Sequence, residues 1–496
     1  MTTEIANRIT ITGPTDEIRQ WVKDNLIMPN PDFQKKERMG LWVGRTPRDL
    51  RMFEWRGDKL ILPFGVCREI MPMLLEGEIR CDFRQDEAVD YGDPVPLYDY
   101  QQKAVNVMVA RRYGVLKSPA GSGKTQCGIA IVKTIGKKVL WLCHTADLLK
   151  QSRDRALMYM DESLTGTITE GKVNVGRGIT FATIQTMANL DLLQYRDEWD
   201  VVITDECHRA AASAATFTRY EKVLNHLAAR HKYGLTATPE RSDGLIRATF
   251  ALIGDIAYEV PDEAVADRVM KVTVRKVETQ TGLTEECLNP DGTISYTALI
   301  GHLTADPDRN RLIADKIIEN RGHSCIILSE RLAQLETLIG MLPEDMRRES
   351  AFINGKMTSK AGKAERERAL DAMRSGEKKY LFASYSLCKE GLDVPRLDRL
   401  FMASPVKFSS VVIQSVGRIA RTFPGKERPV AYDFVDTEIG FCERAFRERR
   451  RHYRKLGADL MPTPEKVLEH EQIYFRLNDF ARDDDDEQPD GGSADD

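Results

Sequence analysis

The chain has 496 residues, 42% hydrophobic and 30% charged, which is too long for one core and suits a globular protein of roughly two to four domains. No apolar run approaches the roughly 18 residues of a membrane span. Met1-Thr2-Thr3-Glu4 does not open a secretory signal, and the nine cysteines (67, 81, 127, 143, 207, 287, 325, 388 and 442) form no CxxC pair or His/Cys cluster. These features argue against a disulfide framework or a zinc site and lead us to expect a cytoplasmic protein. The formal net charge of −4 hides an uneven distribution: residues 481–496 hold eight acids and one arginine, so residues 1–480 carry +3. A mildly basic body is compatible with a nucleic-acid partner and does not establish one.

Residues 1–95 read as a small α/β domain. Arg8-Ile9-Thr10-Ile11-Thr12 alternates like a strand and Gly13-Pro14 ends it. Thr15 then caps a helix with Ile18, Trp21, Val22 and Leu26 on one face. Lys35 to Lys59 holds eight Lys/Arg and four acids, interleaved with Phe33, Trp42, Phe53 and Trp55. That mixture suits a nucleic-acid backbone and stacked bases, and it equally suits a solvated face over an aromatic core. Tyr91 to Pro96 reads as a linker.

Residues 96–255 alternate strand and helix, which implies a parallel sheet with helices on both faces and ligands beyond the carboxyl strand ends. The candidate strands are Val115-Leu116, Val139 to Leu142, Ile179 to Ala182, Val201 to Thr204 and the stretch before Thr236. The first runs into Ser118-Pro119-Ala120-Gly121-Ser122-Gly123-Lys124-Thr125 and then a helical stretch: strand, glycine loop, helix. The glycines let backbone N–H groups turn inward on phosphate oxygens, and the helix N-terminus adds partial positive charge. In this pattern Lys124 reaches the β- and γ-phosphates and the Thr125 hydroxyl takes Mg²⁺. Ser118 stands where the strict pattern has glycine, and taken alone the run also fits a Gly/Ser turn before a surface lysine. Asp205-Glu206-Cys207-His208 follows the fourth strand, 81 residues after Lys124. Asp205 is suited to hold Mg²⁺ and Glu206 to deprotonate the attacking water, whereas an isolated acidic pair at a strand end is often a helix cap. Thr236-Ala237-Thr238-Pro239 fits a capped turn or a relay.

Residues 256–305 read as a connecting segment containing one alternating strand, Val272 to Val277. Residues 306–460 repeat the α/β pattern without a phosphate loop, through Ser324 to Ser329, Tyr380 to Ala383 and Arg399 to Met402. This second copy carries Gln414-Ser415-Val416-Gly417-Arg418-Ile419-Ala420-Arg421. Glu443 to Lys455 is a basic helix suited either to a nucleic-acid path or to packing Phe446, Tyr453 and Leu456 on its own domain. The remainder, 461–496, reads as an extension ending in a disordered acidic tail.

Taken in order, segments 118–125, 205–208, 236–239, 384–393 and 414–421 resemble the motifs of a superfamily 2 helicase of the DExH group, similar to UvsW-like phage and XPB-like DNA-repair helicases within the wider DEAD/DEAH-box family. The resemblance covers about residues 96–455 and implies two RecA-like domains using ATP and Mg²⁺. By that resemblance, Gln101 reads the adenine edge, the loop from Pro119 to Thr125 holds the phosphates, and Gly391 and Asp393 bridge nucleotide and nucleic acid. Arg418 and Arg421 are implied to be arginine fingers. His144, Thr145, Thr183 and Thr186 in the first domain, and Ser329, Arg331 and Ser384 in the second, are implied to grip the strand. Glu240-Arg241-Ser242-Asp243 is similar to the Arg-Glu-Asp element of XPB-like enzymes, with Ser242 departing from it.

Only eighteen residues separate Pro395 from Gln414, which leaves little room for a long strand-splitting hairpin, and no accessory domain is recognisable after residue 460. The expectation is an ATP-dependent DNA helicase or translocase, moving 3′ to 5′ and remodelling branched or duplex DNA in repair, recombination or phage-related processes. An RNA helicase is the alternative, since phosphate contacts carry no sugar identity. A non-hydrolysing scaffold in a larger defence or recombination assembly is a third reading, opposed by the joint presence of Lys124, Asp205, Glu206 and Arg421.

Overall fold

The computed structural model describes residues 1–461 except 45, 84–86, 120, 212–213, 238–245, 262, 266–268, 356, 358, 390–391, 393 and 407–408. The acidic tail lies outside the described residues, as do Ala120, Thr238, Pro239, Glu240 to Asp243, Gly391 and Asp393. The chain divides into two compact units, Met1–Val269 and Met270–Asp496. Among the described residues no helix is long and apolar enough to cross a membrane.

The first unit holds an eight-stranded sheet. Its order is Lys172–Asn174, Thr165–Thr169, Ile179–Thr183, Val139–Cys143, Val201–Asp205, His231–Thr236, Tyr113–Lys117, Ile256–Glu259. Only the hairpin Thr165–Thr169/Lys172–Asn174 is antiparallel; the other pairings are parallel. Alternate residues of one strand enter different cores: Val139, Trp141 and Cys143 on one face, Leu140 and Leu142 on the other. Both faces are covered, which is why these strands are apolar throughout instead of alternating.

Residues 1–83 form a separate five-stranded sheet, ordered Glu54–Arg56, Lys59–Pro63, Arg8–Thr12, Thr2–Ile5, Glu78–Cys81. Thr15 caps the helix Asp16–Asn25 through its hydroxyl, with Ile18 and Val22 buried. This sheet does not have a core to itself. Ile9, Leu62, Phe64 and Ile70 share one apolar cluster with Val115, Leu140, Ala251 and Leu252. Gly65 makes the approach possible, since a Cβ there would stand 2.3 Å from the Phe250 carbonyl oxygen and 2.5 Å from the Gly254 nitrogen. Lys232, 1% exposed, donates to the carbonyls of Leu224 (2.9 Å) and Asn7 (3.2 Å) and lies over the Phe64 ring. The expected linker at Tyr91 to Pro96 is not a free tether: Tyr91 and Val95 are buried, and the Tyr91 hydroxyl donates to the Lys137 carbonyl.

The second unit holds a seven-stranded sheet whose recorded pairings are all parallel. Its order is Ser350–Ile353, Tyr380–Ser384, Cys325–Ser329, Arg399–Met402, Val430–Asp436, Thr273–Thr279, Asp459–Met461. The reading of 256–305 as a connector is therefore corrected. Ile256–Glu259 closes the edge of the first sheet, and Thr273–Thr279 is an inner strand of the second. Asp436 anchors that inner strand, accepting from Thr279 Oγ1 (2.6 Å) and from the fully buried Arg309 Nε (2.9 Å). The basic helix, Gly440–Lys455, splits by face. Arg444, Arg447, Arg450 and Arg451 are exposed, while Arg449 is 3% exposed and pairs through two nitrogens with Asp433.

Candidate nucleotide site

The phosphate loop joins the strand Tyr113–Lys117 to the helix Lys124–Ile135, at the carboxyl edge of the first sheet. Ser118 continues the ladder by donating its N–H to the Thr236 carbonyl (2.9 Å). Its side chain is buried, with Oγ 2.5 Å from Ser122 Oγ. Ser122 Oγ in turn donates to the Pro119 carbonyl (2.7 Å), so the single proton on each hydroxyl makes Ser118 the donor to Ser122. Serine in place of glycine at 118 thus ties the loop to itself. Gly121 and Gly123 take φ of +85° and +81°, and Gly123 stands at the N-terminus of the helix. Lys124 and Thr125 follow, half-buried, on its first turn.

Gln101 sits behind the loop, 1% exposed. Its Nε2 donates to the Ser122 carbonyl (2.8 Å), which also receives the Tyr100 hydroxyl (2.9 Å), while its Oε1 accepts the Tyr98 N–H (3.0 Å). Both ends of the amide are engaged within the chain. In this structure Gln101 is a brace of the loop, with one N–H and one oxygen lone pair of its amide not used in these bonds.

The strand Val201–Asp205 is buried throughout and delivers the carboxylate pair. Asp205 is fixed on both oxygens: Oδ1 accepts the Glu206 N–H (3.0 Å) and Oδ2 accepts Ser152 Oγ (2.9 Å). Burial, then the neighbouring Glu206, pushes the Asp205 carboxyl up to about 6. Glu206 lies in the left-handed region at φ +48°, a strained position for a residue with a side chain. Its burial acts upward, but Lys124 and then His208 and Arg209 outweigh that and hold it at about 2. Glu206 therefore stays a carboxylate. His208 Nδ1 is 2.9 Å from Thr236 Oγ1 and 3.3 Å from Glu206 Oε2. The shorter contact takes the hydrogen bond, which leaves Glu206 Oε2 buried without one among the described residues. An orphaned carboxylate oxygen beside a lysine fits a site that receives water, phosphate and a hard cation.

The expected strand-gripping residues fall into two groups. Thr145 caps the helix Ala146–Ala156 by accepting the Leu148 N–H, and Gln185 Nε2 donates to the His144 carbonyl (2.8 Å). Burial, then Arg209, holds the His144 imidazole down at about 4, so it is neutral near pH 7 and can meet a phosphate only through a hydrogen bond. Thr186 and Ser384 are half-buried, with Ser384 Oγ 2.8 Å from Ser386 Oγ. Arg331, also half-buried, donates to the Thr297 carbonyl (3.2 Å). Thr183 and Ser329 do not reach the surface. Thr183 Oγ1 donates to Thr186 Oγ1 (3.0 Å), and Ser329, 0% exposed, donates to Gln334 Oε1 (2.6 Å). Both hydroxyls hold neighbouring residues in place.

In the second unit Arg418 lies on the helix Ser409–Ile419 and Arg421 just beyond it, both half-buried. Lys426, which sequence reasoning missed, donates to the carbonyls of Arg421 (2.7 Å) and Pro395 (3.1 Å). Burial pushes the Lys426 ammonium down to about 8. A lysine in a turn carries no signal of such a role in a single sequence. Ser152, also missed, carried a faint one: it lies two helical turns after Thr145, on the same face.

Residues 94–241 match the family described as the Type III restriction enzyme res subunit, and residues 308–423 match the helicase conserved C-terminal domain. The chain belongs to the superfamily 2 helicases. Among its helicase relatives, a protein of Acanthamoeba polyphaga mimivirus named as an ATP-dependent RNA helicase is 26% identical over 352 residues, covering 69% of this chain and 64% of that protein. The chain thus spans just under two thirds of that relative's length. An XPB-type DNA 3′-5′ translocase of Sulfurisphaera tokodaii is 27% identical over 387 residues, covering 71% of this chain and 86% of that protein. In fold, the chain is similar to an ATP-dependent Type ISP restriction-modification enzyme bound to DNA, with a TM-score of 0.54 at 15% identity over 78% of this chain and 32% of that one.

Proposed function

We propose that the chain hydrolyses ATP to move 3′ to 5′ along DNA and remodel branched or duplex substrates. The observation that carries this is the meeting of the phosphate loop with the Asp205–Glu206 pair at the carboxyl ends of parallel strands, with Glu206 Oε2 left open. Loop N–H groups and Lys124 would hold the nucleotide phosphates, and Thr125 and Asp205 would hold Mg²⁺. When bound, that ion neutralises phosphate charge and orients the γ-phosphoryl group. Glu206, kept ionised by Lys124, accepts the proton of the attacking water. Arg418 and Arg421 are the proposed arginine fingers, a role worth ~10³–10⁵ in rate. Gly391 and Asp393 remain part of the proposal by resemblance alone. Trp42, 88% exposed within a basic stretch, supports a nucleic-acid role for residues 1–95. Among the described side chains eight of the nine cysteines are free thiols, which suits a reducing, cytoplasmic setting.

DNA and the direction of travel are supported by the description of the Sulfurisphaera relative. RNA is the second reading, supported by the description of the mimivirus relative. ATPase and strand-displacement assays across single strands, forks, Holliday junctions and RNA separate the two. Stimulation by DNA beyond RNA is expected; equal or greater stimulation by RNA overturns the DNA assignment. Turnover surviving Lys124→Ala would overturn the site itself.

A further inference from the structure

We infer that Ser152 is a positioning residue that links the strand-gripping end of the helix Ala146–Ala156 to the carboxylate Asp205; the inference rests on the function proposed above. The helix begins at Thr145, whose hydroxyl caps it by accepting the Leu148 N–H (3.3 Å). Seven residues later, two turns along the same face, Ser152 is 1% exposed and its hydroxyl lies 2.9 Å from Asp205 Oδ2. A serine hydroxyl facing a carboxylate must donate, so Ser152 supplies one of the two hydrogen bonds that set the Asp205 plane. The other comes from the Glu206 N–H and is fixed by the backbone. Ser152 is the adjustable one, because it rides on a helix and not on the strand that carries Asp205.

The geometry makes that helix a stiff connecting rod. Leu149 and Ala156 bury it in the core on either side of Ser152. The strand before it, Val139–Cys143, pairs directly with Val201–Asp205, so the helix starts from the strand next to the one that carries the carboxylate. A phosphate that engages the Thr145 hydroxyl or the first-turn N–H groups pulls on the capped end, and a short helix anchored in this way transmits the shift as a rigid body. The Ser152–Asp205 distance then changes, and with it the orientation of an oxygen proposed to hold Mg²⁺. Partners that orient a metal-ligating carboxylate typically change metal affinity or activity by about 10–100-fold when removed. One hydroxyl would thus connect strand occupancy to the metal side of the nucleotide site.

The test uses the full chain, with a fluorescent ATP analogue titrated against Mg²⁺, and ATPase measured with and without saturating single-stranded DNA or RNA. Ser152→Ala is expected to raise the half-saturating Mg²⁺ for analogue binding about 10-fold or more and to lower the ratio of stimulated to basal turnover. Ser152→Thr, which keeps the hydroxyl, should restore both. Thr145→Val placed on Ser152→Ala should cause no further loss of stimulation, since both act through one path. The inference is overturned if Ser152→Ala leaves Mg²⁺ dependence and stimulation unchanged, or if its losses add in full to those of Thr145→Val. Absence of any nucleic-acid stimulation in the unmodified chain overturns the proposed function, and the Mg²⁺ dependence of analogue binding still judges Ser152 by itself.

Discussion

Gln101 Nε2 donates to the Ser122 carbonyl across 2.8 Å, and a Cβ on the adjoining Gly123 would stand 2.4 Å from that same nitrogen. The brace and the glycine are one design: Gln101 can reach the Ser122 carbonyl only because the next residue has no side chain. Gly123→Ala therefore meets a steric conflict and a backbone at φ +81° together. Strain of about 1–3 kcal/mol predicts ATP binding weakened roughly 5- to 150-fold. Equilibrium titration with a fluorescent analogue checks this, and unchanged affinity would show the brace to be dispensable.

Glu206 combines strain with an orphaned oxygen. Glu206→Gln should bind ATP and lose turnover by ~10²–10⁴; normal hydrolysis by that variant would remove Glu206 from the mechanism. Glu206→Gly should be equally inactive yet melt no lower than the parent. Relief of about 1–2 kcal/mol of left-handed strain offsets the roughly 0.5–1 kcal/mol of extra chain freedom that glycine brings. A thermal melt paired with a turnover assay separates the two effects.

Arg421→Ala is expected to leave ATP binding nearly intact and to cut hydrolysis by ~10³ or more. Lys426→Met should lower kcat less severely with KM little changed, because it frees the Arg421 carbonyl without removing the guanidinium. A variant that raises KM at unchanged kcat would assign Lys426 to nucleotide binding instead.

Burial of Lys232 pushes its ammonium from the ordinary 10.5 down to about 7. The unfolded chain then holds a proton there that the folded chain lacks, between about pH 7 and 10.5. Folding is penalised below that window and relieved as the pH rises through it. Urea unfolding should show the parent gaining ~2 kcal/mol relative to Lys232→Met between pH 7 and 9. Parallel pH profiles for the two proteins would mean that Lys232 keeps its charge inside the fold.

The strands of both large sheets were legible because parallel strands covered on both faces read as unbroken apolar runs, as in Val139–Cys143 and Cys325–Ser329. The phosphate loop and the acidic pair were legible because their chemistry demands fixed residue types at fixed spacing. Short or polar strands were not: Ser350–Ile353 is four residues long, and in Thr165–Thr169 every residue but Ile168 is threonine or glycine. The role of Thr273–Thr279 was hidden because its neighbours in the sheet lie more than 150 residues further along the chain. Burial of individual hydroxyls was equally hidden. Ser329 and Ser384 look alike in sequence, yet the first spends its proton on Gln334 inside the domain. Arg449 shows the same limit, since nothing in Arg449-Arg450-Arg451 marks which guanidinium turns inward to Asp433.

Gly65 brings the backbone of the N-terminal region against residues 250–254, and Lys232 spans the same boundary to Asn7 and Phe64. Backbone packed on backbone, with a buried lysine as a rivet, makes a weld and not a swivel. Torque generated around the phosphate loop would pass to the N-terminal sheet without slack, so anything held there would travel with the nucleotide-binding half of the machine stroke for stroke.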